Sequence, residues 1–164
     1  MPVTLGLLQW LGLAVFAAAL GDAALHDVRS FLIPNRLSIA VAASFAVFAT
    51  GLPSVEIAIS VGAGFIVFVA GAVLFARGLL GGGDVKLLAA VSLWAPPARF
   101  AEFMLATSLA GALLALMLMT PLRLCLPRPA GSGDETEPVL RQPVPFGVAI
   151  AVGGLLAATW RAGF

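Results

Sequence analysis

The sequence predicts an all-α, polytopic membrane protein of about six transmembrane helices. Of its 164 residues, 61% are hydrophobic and only 10% are charged, whereas soluble domains average about 25% charged residues. A spanning helix needs about 20 mostly apolar residues, and Pro, Gly and charged residues divide this chain into six apolar segments. The segments lie at about 3–25, 37–50, 55–76, 85–95, 103–118 and 144–160. We therefore expect residues 1–164 to form a single transmembrane domain.

The first two segments have clear boundaries. No Lys or Arg precedes the first segment, and a cleaved signal peptide has a basic start, so we expect this segment to stay as a span. Pro34 disfavours helix at Ile33, and Asn35 is a good N-cap for the second helix. The second helix should end at Gly51–Pro53.

The fourth segment is the shortest of the six. It follows the glycines of "GLLGGGDVKLLAA" and ends at Pro96 and Pro97. The one long polar stretch, about 121–143, is rich in Pro, Gly, Ser and acidic residues, which is typical of a flexible loop.

The distribution of basic residues predicts the orientation of the helices. Seven of the nine Lys and Arg residues fall in the first, third and fifth loops, and cytoplasmic loops carry the excess of positive charge. We therefore expect these loops, including 121–143, to be cytoplasmic and both termini to be outside. A net charge of only +1 gives no indication of a nucleic-acid partner. The seven residues are Arg29, Arg36, Arg77, Lys86, Arg123, Arg128 and Arg141, and the other side holds Arg99 and Arg161.

Two aspartates lie on the same predicted side of the membrane. Asp27 ends the first span and Asp84 begins the fourth. Two close carboxylates cannot both ionise comfortably, so one keeps a proton. An ionised carboxylate can activate water while its protonated partner polarises a carbonyl, which is aspartic-protease chemistry. The sequence does not assign the base within the pair.

The residues around Asp84 allow two interpretations. Gly81, Gly82 and Gly83 can take unusual backbone angles and let an extended peptide approach closely, or they form a plain loop. Asp84 itself is also a possible N-cap of the fourth helix. Lys86 is most simply an anchor to anionic lipid headgroups, or it adjusts the carboxylates.

Asp22 is the alternative first carboxylate. It points about 140° away from Asp27 on a regular helix, so the two cannot face the same partner. Asp22 and His26 are four residues apart and should form a local pair. With a single histidine and Cys125 as the single cysteine, we predict no metal site.

Three stretches resemble the type IV prepilin peptidases, especially the short forms of tight-adherence (Flp-type) pilus systems. The stretch "DVRSFLIPNRLS" resembles their first motif and favours Asp27 over Asp22. The stretch "GGGDVKLL" resembles their Gly-x-Gly-Asp motif. The stretch "VPFGVAIAVGG", with Pro145, Phe146 and Gly147, resembles their last helix.

The resemblance implies a function and a site. Such enzymes remove the leader of a prepilin or pseudopilin at the cytoplasmic face of the bacterial inner membrane, without metal or cofactor. Asp27 and Asp84 would be the catalytic pair. The residues that bind substrate or shape the site would be Pro34, Asn35, Gly81, Gly82, Gly83 and Lys86. The long family members also methylate their product and carry paired Cys-x-x-Cys motifs; this chain has neither motif, so we expect no methyltransferase activity.

Other functions stay open at this point. Presenilin-like proteases use a Tyr-Asp motif, and this chain has no tyrosine. A small transporter or proton carrier would also use intramembrane acids, but it predicts internal repeats, and none is visible. A non-catalytic membrane subunit of pilus assembly would tolerate amides at positions 27 and 84.

Overall fold

A computed structural model describes residues 6–118 and 145–163, and all regular secondary structure in these ranges is helical. Six α-helices follow one another, with one turn of 3-10 helix at Pro97–Arg99 before the fifth. The predicted 121–143 loop and Cys125 lie outside the described residues. The helices are α1 (Leu7–Ser30), α2 (Asn35–Ala49), α3 (Ser54–Ala76), α4 (Gly82–Ser92), α5 (Phe100–Leu118) and α6 (Phe146–Ala162).

Three helical segments are long and apolar enough to cross a membrane: Leu7–Ser30, Ser54–Ala76 and Pro97–Met117. Their surfaces expose large apolar side chains, such as Phe65 and Leu113, which suits contact with lipid rather than water. The prediction of an all-α membrane protein is confirmed. α2 and α6 are shorter apolar helices, and the predicted orientation of the helices stays a prediction.

The short helix α4 lies among the others. It has eleven residues, so it is about 16 Å long, roughly half of the hydrocarbon thickness. It packs against α2, α3 and α6, whereas α1 packs on α2 and α6. Contacts with three neighbouring helices therefore hold α4 in position.

An aromatic cluster fixes the chain just after α4. The side chain of Trp94 is fully buried, and its ring centroid lies 4.3 Å from that of Phe16, 6.0 Å from Phe45 and 5.0 Å from Phe48. Its indole N–H donates to the carbonyl of Val41 at 3.2 Å, so the polar atom of this large side chain is satisfied. This cluster joins α1, α2 and the end of α4.

Two predicted boundaries were wrong. α1 continues to Ser30 instead of ending near residue 25, because His26 and Ser30 bond to carbonyl oxygens one turn back in their own helix. Asn35 is the first residue of α2 and not its N-cap, which is Pro34. The side chain of Asn35 is instead engaged by Lys86.

Candidate active site

Asp27 and Asp84 meet at one end of the helix bundle. Asp27 lies in the last turns of α1 with 4% of its surface exposed, and Asp84 is partly buried in the first turn of α4. The negative charge of Asp27 acts directly on Asp84. The fold therefore brings together two carboxylates from the first and the fourth helix.

Helix α6 holds Asp27 in place. The backbone N–H of Gly147, in the first turn of α6, donates to Oδ2 of Asp27 at 2.6 Å. The start of a helix presents unpaired N–H groups and a positive dipole, which suit a carboxylate. A Cβ atom at position 147 would lie 2.8 Å from Oδ2 of Asp27 and 3.0 Å from Cδ1 of Ile33. Only glycine allows this approach without displacing its neighbours.

Asp84 lies outside the three long spanning segments, in the short helix α4. Burial raises its pKa, and the nearby carboxylate of Asp27 raises it further, to about 6, although a hydrogen bond from the backbone of Gly81 opposes the shift. Two such carboxyl groups titrate as a pair. Below about pH 6 the pair retains a proton.

Asp84 is not the N-cap of α4. Gly81 holds that position, with extended backbone angles (φ −72°, ψ 142°), and no side chain caps the helix. The helix begins at Gly82, three residues before the start of the predicted fourth span. The carboxylate of Asp84 is therefore turned toward Asp27 and Gly81 rather than toward the amides of the next residues.

Gly81, Gly82 and Gly83 could have taken unusual backbone angles, but the structure gives them ordinary ones. Among the described glycines, positive φ occurs at Gly78 and Gly163 only, and Gly82 and Gly83 are helical. Their small size matters instead, because a Cβ atom at Gly82 would lie 3.3 Å from the ring of Phe75, and one at Gly83 would lie 3.1 Å from Cβ of Ile33. The glycines allow the start of α4 to pack closely against α3 and against the chain that leads into α2.

A hydrogen bond joins the two motif segments. Nζ of Lys86 donates to Oδ1 of Asn35 at 2.9 Å, and both residues are exposed. Pro34 precedes Asn35 as the N-cap of α2. The residues expected to shape the site thus all lie at the starts of α2 and α4.

Asp22 is separate from this site. Nδ1 of His26 lies 3.0 Å from Oδ1 of Asp22, and both side chains are substantially exposed on α1. The prediction of a local pair is confirmed. Among the described residues, no group of three His, Cys, Asp or Glu side chains is placed to hold a metal ion.

A buried ion pair lies at the other end of α4. Arg161 pairs with Glu56, and it also donates to Oγ of Ser60 at 2.7 Å and to the carbonyl of Trp94 at 3.0 Å. We had interpreted Arg161 only as a charge on the outer side, but its side chain is 2% exposed. The available signal was the Glu56 and Ser60 pair, four residues apart on the otherwise apolar α3.

The role of the Gly147 amide was also missing from the sequence interpretation. Gly147 entered only as part of a resemblance in the last segment. The available signal was a glycine directly after Pro145 and Phe146, because the N–H groups in the first turn of a helix have no partner within it and glycine leaves room for a close contact.

The sequence profile of the type IV leader peptidase family matches residues 14–116. The match covers more than half of the chain, including Asp27 and Asp84, and ends before α6. No curated protein and no solved structure matches the chain. The profile match shows that this chain is a membrane protein that belongs to the type IV leader peptidase family.

Proposed function

We propose that this protein is a membrane aspartic endopeptidase that removes the leader peptide of type IV, Flp-like prepilins. The cut would be made at the cytoplasmic face of the inner membrane. One observation carries the proposal: buried Asp27 and partly buried Asp84 come from different helices yet lie close enough for the charge of Asp27 to raise the pKa of Asp84. Burying two acids together is costly. Such acids are concentrated at functional sites, where the chemistry requires them.

The pair supports a hydrolysis in two stages. A water molecule between the carboxyl groups loses a proton to the ionised aspartate, and its oxygen attacks the scissile carbonyl carbon. The protonated aspartate donates a hydrogen bond to the carbonyl oxygen as negative charge develops there. The tetrahedral intermediate then collapses, the peptide C–N bond breaks, and the leaving nitrogen takes a proton from the pair.

The surrounding contacts support this chemistry. The Gly147 amide fixes one oxygen of Asp27, so the carboxylate keeps its orientation through the cycle. The raised pKa of Asp84 gives the pair a proton to donate. Gly81, directly before α4, is exposed, which leaves the backbone accessible to an extended peptide.

The cytoplasmic side follows from the charge of the loops. Arg29, Arg36, Arg77 and Lys86 lie in the loops or at the helix ends next to Asp27 and Asp84, and positive charge is enriched on the cytoplasmic side. A prepilin presents its leader on that side, ahead of a hydrophobic helix. Enzyme and substrate would then share one membrane and one face.

A cleavage assay tests the proposal. The chain is co-expressed with an Flp-type prepilin in a host without its own prepilin peptidases, and the size of the precursor is followed. Asp27→Asn and Asp84→Asn should each lower the cleavage rate at least about a hundredfold, because an amide replaces a proton-transferring acid. Asp22→Asn is the matched control, since Asp22 lies on the same helix and is exposed.

Each variant is checked for normal membrane insertion before cleavage is compared. Normal cleavage by Asp27→Asn or Asp84→Asn would contradict the paired mechanism. No cleavage of Flp-type or other type IV precursors by the wild type would contradict the peptidase function.

A further inference from the structure

A groove of about 550 Å³ opens on the bundle surface between α2 and α3, with α4 as its floor. α2 and α3 are consecutive helices but hardly touch each other, whereas each packs against α4. The walls include Ser38 and Ala42 from α2 and Phe68 from α3, and Ala89 and Leu93 form part of the floor.

The groove and the candidate active site share helix α4. α4 carries Asp84 in its first turn and groove residues in the turns that follow, from Lys86 to Leu93. These positions span about 10 Å along the helix, which is two turns of an α-helix. A helix lying in the groove would therefore have one end near the first turn of α4, which carries Asp84.

Ser38 adds a polar atom to this apolar groove. Its Oγ is the one buried side-chain N or O atom without a hydrogen-bond partner in the described part of the chain, and the residue is 7% exposed. Other buried hydroxyls, those of Ser44, Ser92 and Thr107, bond to carbonyls of their own helices. A buried hydroxyl that lines a groove without a partner is suited to a ligand that brings one.

The charged end of the groove is formed by Lys86. Its ammonium group has three N–H donors, and one of them donates to the neutral amide oxygen of Asn35. The cation lies two residues from Asp84 in sequence. This end of the groove therefore carries a positive charge.

We infer that this groove binds the apolar helix that follows the cleavage site of the substrate, with the first turn of that helix at Ser38. The inference rests on the proposed function and adds the binding mode of the substrate. The first turn of any helix has N–H groups without partners, and such groups are costly in lipid; Ser38 Oγ can accept one of them. A lipid acyl chain would offer no hydrogen bond to this hydroxyl.

Filling the groove tests the inference. Ala42→Phe places a ring among the lining residues, whereas Ala43→Phe places the same ring on the exposed neighbouring position of α2, outside the groove. We expect Ala42→Phe to lower kcat/KM for the complete precursor by about tenfold or more. Ala43→Phe should stay within about twofold of the wild type. Equal rates for both variants and the wild type would overturn the inference, and a lipid-filled groove gives this result.

Cross-linking tests binding without relying on cleavage. Ile39 lines the groove and is 66% exposed, so Ile39→Cys should not disturb the fold. In an Asp84→Asn, Cys125→Ser background, it should form disulfides with cysteines introduced into the first two turns of the precursor helix. Ala43→Cys is the matched control and should form few.

The two readouts separate the possible failures. Cross-links at Ala43→Cys as strong as those at Ile39→Cys, or none at Ile39→Cys, would overturn the groove while wild-type cleavage still supports the peptidase. Absent wild-type cleavage would count against the proposed function itself.

Discussion

The backbone amide of Gly147 donates a 2.6 Å hydrogen bond to Oδ2 of Asp27, across 120 positions of sequence. The bond connects α1, which carries one candidate acid, with α6, which lies beyond the region matched by the family profile. The last helix therefore contributes directly to the geometry of the site.

Replacing this glycine should damage activity more than folding. In Gly147→Ala, the new methyl group would lie 2.8 Å from the Asp27 carboxylate, so the carboxylate must move. We expect kcat to fall about a hundredfold, as small misplacements of reacting groups do. Gly62→Ala is the control, because a Cβ atom there meets nothing within 4 Å. Full activity of Gly147→Ala would contradict the role of this contact.

The pH dependence of cleavage should follow the carboxyl pair. The pKa of Asp84 is raised to about 6, so the pair keeps one proton below about that pH and loses it above. With both acids ionised, no proton is available for the scissile carbonyl. We expect kcat/KM in proteoliposomes to fall about tenfold for each pH unit well above the apparent pKa. A rate independent of pH from about 5 to 8 would rule out this assignment.

Removing Arg161 should destabilise the protein. Arg161→Met leaves Glu56, Ser60 and the Trp94 carbonyl without their donor, and removing the buried partner of an ion pair costs up to about 3–5 kcal/mol. The melting temperature in detergent should fall by about 10 °C. Arg99→Met is the control, since Arg99 is exposed and only stacks on Trp160. Equal melting temperatures for both variants would contradict this role of Arg161.

The hydrogen bond between Lys86 and Asn35 should make the effects of the two substitutions on stability non-additive. Lys86→Met and Asn35→Ala each remove the same 2.9 Å hydrogen bond, which is worth about 1 kcal/mol or less at an exposed position. Each variant should unfold at slightly lower denaturant concentration, and the double variant should lose less stability than the sum of the two. Strictly additive losses would mean that the bond contributes nothing.

Local patterns predicted the helices well and their ends less well. Apolar runs and prolines indicated six helices, but α4 begins at Gly82, three residues before the predicted span. Glycine disfavours helix by about 1 kcal/mol, yet close packing against Phe75 and Ile33 requires it there. Such packing depends on neighbours that sequence position alone does not reveal.

The two candidate acids could be predicted from the sequence, but the contacts that hold the surrounding helices in place could not. Asp27 and Asp84 stood out because acids are rare in this apolar chain. The partners of Arg161 come from the start of α3 and the end of α4, and Glu56 is 105 positions away. Contacts of this kind arise only when the helices have packed.

Helix α6 is bonded near both of its ends, at Gly147 to Asp27 and at Arg161 to Glu56. During biosynthesis this helix is made after the other five. Until it inserts, Asp27 lacks its amide donor and the carbonyl of Trp94 lacks its guanidinium. A ribosome-bound chain that ends before α6 would therefore hold both acids yet be unable to orient them, so activity should begin only after the final helix enters the membrane.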